Sequence, residues 1–91
     1  MEFEWDDNKR LKNIERHGLD FLDVWQLFDG DYIKGPAKLG EGGEERFLIT
    51  GMIHGLYVTG VFTMRGTVTR VISLRRARNN ERREHEEIHG S

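Results

Sequence analysis

The 91 residues contain no cysteine and a single proline. Without thiols, neither disulfides nor a thiolate metal site can hold the fold. Long apolar runs are missing as well. Nothing approaches the roughly 20 residues that a membrane-spanning helix needs, and no signal peptide is expected ahead of the first helical segment. The expectation is a soluble, cytoplasmic protein with no membrane partner. Metal and phosphate motifs are equally scarce. His85 and His89 stand four apart, but Glu86, Glu87 and Ile88 between them do not form HExxH. The "GEGG" stretch at 40–43 lacks the lysine and helix of a P-loop. Neither a metal nor another cofactor is expected.

What is present is enough for a modest core. Apolar residues make up 36%, nine residues are aromatic, and about a third are charged. A chain of this size is expected to form one domain, residues 1–91. Its net charge of −2 hides an asymmetry. Met1 to Glu45 hold twelve acids against six bases, whereas Arg46 to Ser91 hold eight bases against four acids. All eight of those bases are arginine. Arginine binds phosphate through a planar fork, where lysine acts as a point charge. A basic half suits an anionic partner, either nucleic acid or an acidic protein surface. The competing explanation is pairing of these arginines with the acids of residues 1–45.

Spacing divides the chain into two kinds of segment. Residues 6–17 read as a helix capped by Asp6, with Leu11 and Ile14 on its buried stripe, and Gly18 ending it. A second helix is predicted over 20–28, capped by Asp20. Leu19 and Val24 have the spacing of a hydrophobic staple, and Phe21, Val24, Trp25, Leu27 and Phe28 form the apolar face. Beyond it, β-branched and aromatic residues predict strands at about 31–35, 46–53, 56–64 and 67–75. His54-Gly55 and Arg65-Gly66 read as two-residue turns. Gly51 and Gly60 mark bulges or close packing. Residues 79–89 predict a closing helix, capped by Asn79 or Asn80, with almost no apolar face. The fold class is therefore α+β: an N-terminal αα unit on an antiparallel sheet of three to four strands, with a C-terminal helix.

Four ordered pieces carry a family likeness: "FEWD" followed by Lys9, Asn13 and "RHG"; then Phe21; then "GEERFLITG"; then "RVISLRRA" and Glu81. From Phe3 to Glu87 the chain resembles the BrnT family of bacterial type II toxins. The resemblance implies a RelE-like fold with a curved sheet, and a ribonuclease that arrests translation. It also implies a cognate BrnA-like antitoxin with a ribbon-helix-helix domain, through which the pair reaches operator DNA. Members of that family commonly carry tyrosine four residues after the glutamate, where this chain has His85.

Metal-independent RNA cleavage needs a base for the 2′-OH proton, an acid for the 5′-oxygen, and cations for the phosphorane charge. Alternation along 67–75 puts Ser73 and Arg75 on an open face, with Arg75 the first choice for a phosphate clamp. Ile72 and Leu74 are expected to face the helices. Arg70 falls on that same core face, so it either snorkels or is turned outward by a bulge. Candidates for catalysis are Arg75, Arg70, His85, Glu81, Lys9 and His17, with Glu81 placed to orient His85. Arg46, Ser73, Arg76 and Arg78 are candidates for RNA phosphate contact. Each arginine could equally well pair with Glu44, Glu45 or Glu81, and His17 could be a plain helix-end residue. The alternative function is a non-catalytic nucleic-acid- or antitoxin-binding module acting as corepressor.

Overall fold

β-Branched runs become a twisted ladder in the computed structural model, which describes residues 1–90. Strands β1 (Glu2–Glu4), β2 (Ile33–Pro36), β3 (Phe47–Ile53), β4 (Leu56–Arg65) and β5 (Val68–Arg76) form one sheet. Its order is β1-β5-β4-β3-β2. Helices α1 (Asp7–His17), α2 (Trp25–Asp29) and α3 (Asn79–His89) complete the described residues, with 3₁₀ turns at Phe21–Asp23 and Glu41–Gly43.

The sheet has five strands and is mixed, which corrects the expected antiparallel sheet of three to four. The added member is β1, parallel to β5 with Phe3 opposite Thr69 and Glu4 opposite Arg70. Three residues are too short to show a strand period. Only Phe3, packed on the core between two outward glutamates, hints at it.

The segment expected as a helix over 20–28 is divided. Asp20 accepts from Leu22 N at 2.9 Å, tightening the start into a 3₁₀ turn, and α2 holds only five residues. Phe21, Val24 and Leu27, spaced by three, are all buried. That spacing fits a turn of three residues. Trp25 is turned out and 53% exposed.

α1 also faces differently from its expected stripe. Its buried residue is Asn13, and Leu11 is 58% exposed. At 100° per residue, burying Asn13 swings Leu11 away from the body. Asn13 Nδ2 donates to Leu19 O at 2.9 Å, and Leu74 N donates to Asn13 Oδ1 at 3.0 Å. Gly18 ends α1 at φ +68, a left-handed cap.

One face of the sheet carries α1 and α2. There Leu19, Phe21, Val24 and Leu27 pack on Ile49, Ile53, Val58, Phe62, Val71 and Leu74. The β4–β5 turn is Gly66–Thr67 rather than Arg65–Gly66, because Arg65 pairs with Val68. Gly66 supplies the positive φ at the first turn position. A bulge then changes the faces of β5. Val61 pairs with Ser73 but Phe62 with Val71, leaving Ile72 unpaired. Val71 and Leu74 are thus both in the core, which corrects the expected placement of Ile72 there. Arg70, opposite Thr63, joins Arg75, opposite Thr59, on the other face.

Candidate functional site

α3 lies against that second face, and its buried residues are polar: Glu81 and His85. Glu81 Oε1 accepts from Arg75 Nη1 at 2.7 Å, from Arg78 N at 2.7 Å and from Thr59 Oγ1 at 3.0 Å. Its Oε2 accepts from Arg75 Nη2 at 2.9 Å. Behind them Thr50 Oγ1 lies 2.7 Å from Thr59 Oγ1, and Thr59 spends its proton on Glu81. The Arg75 guanidinium, helped by the Arg78 amide and the Thr59 hydroxyl, outweighs burial and holds the Glu81 carboxyl down at about 2. Glu81 rather than Asn79 or Asn80 caps α3, by reaching back to Arg78 N.

His85 stands apart from this network. Its Nε2 lies 2.8 Å from Asp31 O, and since a carbonyl only accepts, Nε2 carries the hydrogen. The Tyr57 ring meets it edge-on at 5.3 Å, and His89 lies 5.0 Å beyond. Glu81 does not orient His85, because both carboxylate oxygens are taken by Arg75, Arg78 and Thr59.

The remaining predicted arginines are scattered. Arg70 Nη1 pairs with Glu4 Oε2 at 3.0 Å, and Arg46 Nε with Glu44 Oε1 at 3.3 Å. Arg76 and Arg78 are exposed. Arg70 and Arg75 do share one face of the sheet, yet each faces a carboxylate of its own chain.

Lys9, His17 and Ser73 are brought together elsewhere. β1 stops pairing at Arg70, so β5 continues as a free edge beside α1. With Asn13 tying the two, the bulged segment Ile72–Ser73 floors a cleft of about 230 Å³. Its walls are Lys9, Lys12, Arg16 and His17. Positions 9, 12 and 16 lie on one stripe of a helix. Among the described residues none of these four basic groups is in an ion pair. Arg16 and His17 occupy the last turn of α1, where the helix dipole favours positive charge. The cleft can therefore collect a phosphate and offers an imidazole, the side chain suited to proton transfer near neutral pH. Sequence reasoning overlooked Lys12 and Arg16. Their spacing from Lys9 within "KRLKNIERH" was the available signal.

Among curated proteins no match to the chain is found. A family model described as the ribonuclease toxin BrnT of type II toxin–antitoxin systems matches residues 5–81.

Proposed function

Because the chain belongs to the BrnT family of ribonuclease toxins of type II toxin–antitoxin systems, we propose that it cleaves RNA without a metal, in the cleft between α1 and β5. One observation carries the choice of site. The basic groups lining this cleft have no carboxylate partner among the described residues, while Arg75, Arg70 and Arg46 are paired.

In this reading the scissile phosphate lies against Lys12 and Arg16, over the Ile72–Ser73 segment that floors the cleft. His17 takes the 2′-OH proton, and the 2′-oxygen attacks phosphorus. As the bond to the 5′-oxygen breaks, Lys9 gives that oxygen a proton. The products are a 2′,3′-cyclic phosphate and a free 5′-OH. Cations already held in the cleft stabilise the extra charge on the phosphorane. Glu81 and Arg75 act at a distance, by fixing α3 to the sheet. The system type implies an antitoxin partner. We further propose that it carries a ribbon-helix-helix domain, and that the pair acts in the cytoplasm and represses its own operon. A RelE-like arrangement of the sheet and helices belongs to the same proposal.

The test is purified protein, freed of antitoxin, incubated with RNA in EDTA. Cleavage is expected, and His17→Ala or Lys9→Ala should lower its rate about 100-fold or more while the fold is kept. Unchanged rates in both variants would remove the cleft from the chemistry. The pairing of Arg75 with Glu81 favours one second reading, a non-catalytic module that holds RNA or an acidic antitoxin segment. RNA binding with no scission at all would establish that reading.

A further inference from the structure

At the other end of β5 lies a second cleft, of about 430 Å³, formed by the β3–β4 turn, the end of β5 and the start of α3. Its lining is Gly55, Leu56, Tyr57, Arg76, Ala77 and Arg82, with no carboxylate. Ala77 N donates to Tyr57 O at 3.0 Å, which joins the two walls. Leu56 is 38% exposed and Arg76 and Arg82 are exposed, so the lining is open to solvent. Arg82 Cζ rests 5.1 Å from the centroid of the Tyr57 ring. The ring itself is braced by a T-shaped contact with the imidazole of His85, which Asp31 O holds in turn. Neither Arg76 nor Arg82 is in an ion pair among the described residues.

We infer that this cleft, framed by Tyr57, Arg76 and Arg82, binds a nucleobase of single-stranded RNA together with its adjoining phosphate. The base takes the face of Tyr57 that Arg82 now covers, and Arg82 and Arg76 close on the phosphate. Stacking on an aromatic ring with nearby guanidinium groups is how single strands are held without reading sequence. A ring braced in advance loses little freedom on binding. An acidic peptide would use the two arginines but would leave the Tyr57 face without a planar partner. Ser73 of the first cleft and Arg76 of the second are three residues apart on β5, roughly 10 Å along a strand. One RNA chain can therefore occupy both. This inference rests on the ribonuclease reading only for its choice of ligand.

The probe is a 2′-O-methyl oligoadenylate hexamer, which cannot be cleaved, compared with an abasic 2′-O-methyl hexamer of equal charge. Fluorescence anisotropy should show the base-bearing hexamer binding at least about 5-fold tighter. Tyr57→Leu should erase that preference and Tyr57→Phe should keep it. Arg76→Ala and Arg82→Ala, both at exposed positions, should weaken both hexamers, which keeps the proposal testable should Tyr57→Leu fail to fold. Equal binding of the two hexamers by the native protein would overturn the inference, as would a preference surviving Tyr57→Leu. So would displacement of the hexamer by oligoglutamate combined with no dependence on bases. Failure here is separate from failure of the cleavage assay, since neither hexamer can react.

Discussion

Arg75 and Glu81 meet fork to fork, with Nη1 2.7 Å from Oε1 and Nη2 2.9 Å from Oε2. Their side chains are only 22% and 10% exposed. The pair explains how a helix with almost no apolar face is attached to the sheet. α3 is held by a polar latch: Glu81 on Arg75 and Thr59, His85 on Asp31 O, and His89 on Tyr32 O. The guanidinium that alternation marks as a phosphate clamp is the one paired with Glu81.

The latch should be sensitive to acid. Glu81 titrates at about 2 rather than 4.5, so its ionised form stabilises the native state. That contribution is complete above the unfolded carboxyl's pKa and is lost as pH falls from roughly 4.5 through 2. Its size is about 3 kcal/mol at most. Urea unfolding of native protein and Glu81→Gln should therefore differ by about 2 kcal/mol at pH 7 and converge near pH 2. A difference independent of pH would show that the charge of Glu81 plays no part.

Without apolar burial, α3 should open before the sheet does. Native-state hydrogen exchange is expected to give its amides a lower opening free energy than those of β4. β4 contributes Val58 and Phe62 to the core, whereas α3 buries only Glu81 and His85. Exchange of α3 in step with β4 would mean that the latch is as strong as the core.

Strand runs and helix ends could be read from residue types, because each depends on neighbours. Asp6 accepts from Lys9 N at 3.1 Å, and Gly18 takes the left-handed conformation, both local effects. What escaped depends on distant partners. β1 exists only because β5, more than sixty residues later, lies beside it. The bulge at Ile72 reverses the faces of one strand, so the period that placed Ile72 inward failed beyond Val71. At the candidate site the arginines are visible as a cluster, and Glu44 and Glu81 stand among their possible partners as the structure has them, but the partner of Arg70 does not. Glu4 is 66 positions from Arg70, and no spacing rule joins them. The α1 stripe of Lys9, Lys12 and Arg16 is local and legible in the spacing of "KRLKNIERH".

Asn13 should be costly to replace. It satisfies Leu74 N beside the bulge and Leu19 O after α1, both inside the protein. Asn13→Leu leaves a donor and an acceptor unpaired and is expected to cost about 3 kcal/mol in urea unfolding. Loss of under 1 kcal/mol would mean that water replaces both bonds.

Gly60 tests the packing on the other side of β5. A Cβ there would lie 2.5 Å from Phe62 Cε2 and 2.9 Å from Leu74 Cδ2. Both neighbours are fully buried, so they have little room to give. Gly60→Ala should cost about 1–3 kcal/mol by overpacking, and thermal unfolding would measure it. A neutral effect would mean that the core yields there more easily than its burial suggests.

Salt dependence can separate the free cations from the paired ones. A cation that touches RNA phosphate releases counterions, and each adds roughly 0.7 to the slope of log affinity against log salt for a single strand. Lys12 and Arg16 line the α1–β5 cleft outside any ion pair among the described residues. Arg70, held by Glu4, has its charge already balanced. With uncleavable RNA, Lys12→Ala and Arg16→Ala should each flatten the slope by roughly 0.7, whereas Arg70→Ala should leave it unchanged. The opposite pattern would place the phosphate on the α3 face of the sheet. It would require the Glu4–Arg70 pair to part when RNA binds, and the candidate site would move with it.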